Sequence, residues 1–175
     1  MSVNSLRRTV LGLLVSAPFS GLIACGWRVR GMVDLPFKAI AITGSPSPPL
    51  RADLQAAILT GTDVQIAINP KDADLILDII NETNGREILA YSSTGQISAY
   101  RLSIRVIFRA YDTAGADIIP DSEIYINRDM DFSNTTVLAT DAQQQQFIGL
   151  MRKDLAIQIL RRIAAAAKIS QARSF

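Results

Sequence analysis

From Tyr100 to Tyr111 the side chains alternate without a break. Tyr100, Leu102, Ile104, Val106, Phe108 and Ala110 fall on one face. Arg101, Ser103, Arg105, Ile107, Arg109 and Tyr111 fall on the other. Period-2 alternation of this length specifies a strand with one buried face and one polar face, which is the pattern of an antiparallel sheet covered on one side. A helix would smear the same residues around its whole circumference. The rest of the chain must therefore supply neighbouring strands and a cover for the apolar face.

The flanking segments read accordingly. Asp112-Thr113-Ala114-Gly115 turns the chain, and Ile124 to Phe132 alternates again, with Ile124, Ile126, Met130 and Phe132 opposite Tyr125, Asn127, Asp129 and Asp131. Upstream, Leu75 to about Tyr91 is extended and ends in the turn Ser92-Ser93-Thr94-Gly95. Asn84-Gly85 inside it is a hairpin signal, read here as a bulge or break because the later turn is better placed. Phe37–Ile42 reads as a first strand, and Val64, Ile66 and Ile68 alternate in a second that ends at Asn69-Pro70. Between them, Gly44–Pro49 is a proline-rich loop. Leu50, Leu54, Ala57 and Ile58 mark a helix over residues 50–59, stopped by Gly61. Asp141 is placed to cap a last helix to about Lys168, with an apolar stripe of Ile148, Met151, Leu155, Ile159 and Ile163. Strands and two amphipathic helices in this order describe an α+β domain, the helices covering one face of a mostly antiparallel sheet.

The amino terminus is of a different kind. Arg7 and Arg8 precede an apolar run from Val10, and no acid occurs before Cys25. This is the layout of a secretory signal peptide, and Leu22-Ile23-Ala24-Cys25 is the ending of a bacterial lipobox. There the Cys25 thiol takes a diacylglycerol, the chain is cut before it, and the new amine is acylated. Each buried acyl CH₂ contributes about 0.8 kcal/mol, and several chains anchor where one does not. An uncleaved anchor, or an ordinary signal cut near Ala17 or Ser20, is the alternative. The expectation is a leader over residues 1–24 and one domain over residues 25–175. Gly26, after the cysteine, fits outer-membrane sorting.

Composition closes off several chemistries. Arg7 and Arg8 leave with the leader, so the remaining domain carries equal numbers of acidic and basic residues, and a nucleic-acid binder is not indicated. Cys25 is the single cysteine and histidine is absent, which removes disulfides, Ser-His-Asp and Cys-His nucleophiles and histidine metal sites. A carboxylate pair drawn from Asp72, Asp74, Asp78 and Glu82 is the remaining route to hydrolysis, set against the plainer reading of loop and strand-edge acids. The stripe Arg101, Arg105, Arg109 is the main polar feature. It either forks onto phosphates or carboxylates of a ligand, or is consumed by Asp129 and Asp131 across the ladder. Arg28 and Arg30 read as membrane-surface charges beside the anchor.

These segments together resemble a known family, the lipopolysaccharide-assembly lipoprotein LptE. The likeness is carried by Cys25-Gly26-Trp27-x-Val29-Arg30-Gly31, by Gly95-Gln96 and Ala99-Tyr100 ahead of the alternating strand, by Asn134 to Met151 with Leu138-Ala139 before glutamines 143–146, and by Ile159-Leu160-Arg161-Arg162-Ile163. The resemblance implies a two-layer sandwich, two helices on one face of a four-stranded mostly antiparallel sheet. It implies a non-enzymatic outer-membrane lipoprotein, with no cofactor beyond the lipid on Cys25. Its partners would be the LptD β-barrel, which it plugs and helps to assemble, lipopolysaccharide, and the inner leaflet of the outer membrane. A free-standing lipoprotein that binds a small amphiphile, or assists another envelope transporter, is the alternative. The family's basic residues in the strand-turn and ahead of the last helix align with Ser92, after Tyr91, and Thr140. Neither is basic, and Arg86, Arg101 or Lys153 are the candidate substitutes. The candidate lipopolysaccharide or barrel contacts are thus Tyr91, Ser92, Arg86, Arg101, Arg105, Arg109, Thr140 and Lys153.

Overall fold

The computed structural model describes residues 33–132 and 137–173. Cys25, Arg28 and Arg30 lie outside them. The element order is β1 (Ala39–Gly44), α1 (Pro48–Gly61), β2 (Gln65–Ile66), a 3₁₀ turn (Pro70–Asp72), β3 (Leu75–Tyr91), β4 (Ile97–Asp112), β5 (Asp117–Asp131) and α2 (Val137–Arg173). The fold is α+β, with both helices packed against one sheet through a shared core.

The sheet corrects the expected architecture. It has five strands in the order β2-β1-β3-β4-β5 and is mixed, not four-stranded and mostly antiparallel. β1 is parallel to both β2 and β3, while β3, β4 and β5 form an antiparallel meander. The turns at Ser92–Gly95 and Asp112–Gly115 are short hairpin turns and give the antiparallel part. The Pro48–Gly61 helix between β1 and β2 is a crossover, and a crossover returns the chain parallel. β2 is also shorter than its alternation suggested. Its ladder ends at Ala67, whose N–H donates to the Ile40 carbonyl at 2.9 Å, and Ile68 is 96% exposed.

Helix α1 begins two residues before the expected Leu50. Pro48 and Pro49 occupy its first positions, where a missing N–H costs nothing. Ser47 caps it, its hydroxyl accepting from Leu50 N–H at 3.3 Å. Helix α2 begins at Val137, so Asp141 stands inside the helix and is not its cap. Among the described residues no helix is long and apolar enough to cross a membrane.

The long meander behaves as read on β4, while β5 starts at Asp117, ahead of the expected Ile124. Leu102, Ile104, Val106, Phe108 and Ala110 are buried, and Arg105 and Arg109 are exposed. Asn84-Gly85, however, is neither bulge nor break: Asn84 pairs with Ile104 and Gly85 with Ser103 in continuous register. A Cβ on Gly85 would stand 2.6 Å from Ser103 Oγ, so the glycine serves close approach of β4, not a turn. The bulges lie between Ile79 and Asn81 and again between Ile88 and Tyr91.

The core joins all layers. Leu50, Leu54 and Ile58 of α1 and Met151, Leu155, Ile159 and Ile163 of α2 share one cluster with Leu75, Leu77 and Ile79 of β3 and the buried face of β4. Arg152 and Asp53, 2.5 Å apart and both largely buried, clamp α2 to α1.

Candidate functional site

The helix-free face of the sheet carries the arginine stripe, and each arginine has a carboxylate. Arg101 pairs with Asp129 directly across from it in β5. Arg105 reaches Glu123 at 3.1 Å, one diagonal step away in β5. Arg109 turns the other way, to Asp78 of β3 at 3.0 Å. Aromatic rings fill the gaps, with the Arg105 guanidinium 5.3 Å from the centre of the Tyr125 ring and Arg109 5.1 Å from that of Tyr111. The stripe is thus consumed by cross-strand pairing, as one of the two sequence readings held. Two of the three acids were not the expected ones: Glu123 and Asp78 serve, and Asp131 takes no arginine of the stripe.

The electrostatics follow from the pairing. The hydrogen bond from Arg101 holds the Asp129 carboxyl below the usual carboxylate range, and the same bond raises Arg101. Arg109 is raised by its hydrogen bond to Asp78. The result is a polar face whose charges cancel locally.

Arg86 is on the opposite face. The bulge at Ile80 inserts one residue into β3, so the inward-facing positions switch from Leu75, Leu77 and Ile79 to Glu82, Asn84, Arg86 and Ile88. Arg86 therefore lies across from the buried Leu102, with Arg128 of β5 on the other side of that leucine. Arg86 stacks 4.7 Å from the Tyr100 ring centre and donates to Gln144 of α2 at 3.1 Å. Arg128 sits over Phe147 of α2 at 5.2 Å. These two arginines hold the start of α2 on the sheet. Sequence reading missed Arg128, although its parity with Ile124, Ile126 and Met130 was the available signal.

The remaining candidates are scattered. Tyr91 is 63% exposed at the end of β3. Ser92 is held within its turn, its hydroxyl paired with Thr94 and accepting from Gln96 N–H at 3.2 Å. Thr140 is buried on α2. Lys153 is exposed on α2, between the inward-facing Met151 and Leu155. Arg86, Arg101 and Lys153, the three candidate substitutes, stand on different surfaces.

The carboxylates considered for hydrolysis are structural. Asp74 accepts from the N–H groups of Lys38 and Ala39 at 2.7 and 3.1 Å and fixes the entry to β1. Asp72 accepts from the Asn69 amide at 3.3 Å. Asp78 takes Thr43 at 3.2 Å besides Arg109. Glu82 accepts from the N–H and hydroxyl of Ser47 at 2.8 and 3.0 Å. Among the described residues no three histidine, cysteine or acidic side chains are grouped to hold a metal ion.

The fold has relatives. The model of the lipopolysaccharide-assembly family LptE matches residues 37–163. The chain belongs to the LptE family. Among solved structures, a solution structure of an uncharacterized lipoprotein B from Nitrosomonas europaea is similar at 29% identity, covering 81% of this chain and 92% of that one with a TM-score of 0.69. A minor lipoprotein from Acinetobacter baumannii (23% identity, 75% and 93% covered, TM-score 0.62) and the rare lipoprotein B from Shewanella oneidensis (20% identity, 76% and 98% covered, TM-score 0.62) share the fold. No curated protein matches the chain. Lipopolysaccharide assembly is the theme of the LptE family, and three of its structural neighbours are lipoproteins.

Proposed function

We propose that this LptE-family chain is the lipoprotein partner of the outer-membrane barrel LptD. It is anchored through lipid on Cys25, plugs the barrel lumen, helps the barrel to assemble, and so serves insertion of lipopolysaccharide into the outer leaflet. It is a binding subunit and carries out no catalysis. Residues 1–24 are its leader, and residues 25–175 form the periplasmic-side domain.

The observation that carries the reading is the helix-free sheet face. Arg101–Asp129, Arg105–Glu123 and Arg109–Asp78 make it polar yet locally neutral. Lumens of large outer-membrane barrels are polar, and a polar surface without a strong field of one sign packs there without stranding charge. The stripe arginines are already engaged, so they suit contact with a barrel wall. Arg86, with Tyr91 and Ser92 at the hairpin end and Lys153 on α2, remain the candidates for lipopolysaccharide, while the buried Thr140 drops out.

The test is extraction of tagged full-length protein from membranes in mild detergent, followed by gels of heated and unheated samples. A large heat-modifiable barrel in the eluate is the expected result. Folded, lipidated bait without a barrel would overturn the proposal. Mass spectrometry of the same eluate checks the anchor: an unacylated chain of mature length would remove the lipid on Cys25, and Cys25→Ala is expected to accumulate as an uncleaved precursor.

A further inference from the structure

Strand β1 pairs with β3 only from Leu75 to Ile79, whereas β3 runs on to Tyr91. Beyond Ile79, among the described residues, β3 is paired on one side alone, with β4. The segment 45–47 still lies along the first part, with Ser45 N–H donating to the Ile79 carbonyl at 3.0 Å and Ser47 N–H to the Glu82 carboxylate at 2.8 Å. From Thr83 to Ile88 the register with β4 is unbroken, and no described strand occupies the outer edge.

The edge at the far side of the sheet is guarded. In β5, Pro120 removes a donor, and Arg162 reaches from α2 to donate to the Glu123 carbonyl at 2.7 Å. Proline and covering charged side chains are the usual devices against strand addition. Thr83–Ile88 has no proline; its charged residues are Arg86, turned to Tyr100 and Gln144, and Glu87, and Ile88 and Leu89 at its end are 47% and 42% exposed. Among the described residues, the β5 edge is blunted and the Thr83–Ile88 edge has no strand against it.

An open strand edge specifies the chemistry of its occupant. Donors and acceptors alternating at strand spacing are matched by another extended polypeptide, not by an acyl chain or a sugar. A second copy of this chain fits poorly. Two-fold antiparallel pairing centred on Arg86 or Glu87 sets like charges opposite each other. A centre at Gly85 or earlier drives the incoming Tyr91 end into the Ser45–Ser47 segment. A centre at Ile88 or later falls on the bulges between Ile88 and Tyr91.

We propose that Thr83–Ile88 of β3 is a strand-addition site for an extended, proline-free segment of a different polypeptide, favoured with an acidic residue opposite Arg86 and a basic one opposite Glu87. The proposal does not depend on which protein supplies the strand.

The test is hydrogen exchange on the full chain extracted in mild detergent, measured before and after bound proteins are stripped. In the extract, the outward-facing amides of Thr83–Ile88 are expected to exchange at least tenfold more slowly than after stripping, while those of residues 121–128 in β5 stay unchanged. Fast exchange in both states overturns the proposal. So does slow exchange in both, because the chain would then be covering its own edge. Protection without a barrel in the extract keeps the proposal and removes the LptD reading; a barrel in the extract with fast edge amides does the reverse. As a second measurement, Thr83→Lys with Ile88→Lys is expected to abolish the protection with an unchanged melting temperature, and retained protection counts against the site.

Discussion

Arg101 and Asp129 stand directly opposite each other on β4 and β5, joined by two parallel hydrogen bonds, Nε to Oδ1 at 2.8 Å and Nη2 to Oδ2 at 3.0 Å. Of the three ion pairs on the helix-free face, this fork has two hydrogen bonds and the others one each. Both partners are partly in solvent, so it sets the pairing of the two strands more than it adds stability.

The fork gives a pH prediction. Asp129 is held below its ordinary pKa in the folded state. A depressed carboxylate contributes stability that is fully present above its unfolded pKa, about 4, and is lost as pH falls through the folded value. Asp129→Asn is therefore expected to lower the melting temperature slightly at pH 7 and by less at about pH 3. About 1 M salt should shrink the difference at pH 7 by screening. Thermal melts at the two pH values decide this; an equal loss at both would assign the effect to packing.

Phe108 and Arg105 give the contrast between the two sheet faces. Phe108 is 0% exposed, and Phe108→Ala is expected to cost about 3–5 kcal/mol. Phe108→Asp buries an unpaired charge and should leave no folded protein. Arg105→Ala, three residues away on the other face, should cost less than about 1 kcal/mol, since its partner Glu123 is returned to water. Urea denaturation of the three variants checks the order, and a folded Phe108→Asp would mean that the faces are inverted.

How much of this was legible in the chain depends on where the information lay. The alternation of Tyr100–Tyr111 is local, and it placed Phe108 inside and Arg105 outside correctly. The turns at Gly95 and Gly115 are also local: both residues have positive φ, +78° and +86°. Asn84-Gly85 was rightly passed over as the turn, but it is not the bulge or break expected in its place, because Gly85 meets the need of a neighbouring strand. The parallel pairing of β1 with β2 was there to be read in the strand–helix–strand order, but its pairing with β3 was not, since nothing in Ala39–Gly44 reports which further strand it will join. The switch of inward-facing positions at Ile80 was equally hidden, and with it the placement of Arg86 on the helix side. Arg101–Asp129 was readable from parity, but the diagonal reach of Arg105 to Glu123 needed the register.

Gly44 and Gly95 separate backbone strain from steric clash. Both have positive φ, a conformation costing about 1–2 kcal/mol for a residue with a Cβ. Gly95 has open space around it, whereas a Cβ on Gly44 would sit 2.2 Å from the Ile79 carbonyl oxygen and 2.6 Å from Asp78 Oδ1. Gly95→Ala is expected to lose only the conformational part. Gly44→Ala must also push β1 away from β3, and should lose clearly more, about 3 kcal/mol or above. Equal losses in chemical denaturation would show that the β1–β3 approach can relax.

Ser47 and Glu82 test whether the acids of this chain are structural. Ser47 caps α1 through Leu50 N–H, and Glu82 in turn receives the N–H and hydroxyl of Ser47. The arrangement joins the start of α1 to the inward-facing part of β3 just after its bulge. Ser47→Ala removes the cap and one of the two bonds to Glu82, and should cost about 1–2 kcal/mol. Glu82→Gln keeps the shape but turns one acceptor oxygen into a donor facing the Ser47 N–H or hydroxyl, and should cost about as much. Since the two residues act through one contact, the double variant is expected to lose less than the sum of the singles. Additive losses in urea denaturation would mean that the cap and the carboxylate work separately, and would reopen Glu82 to a role outside the fold.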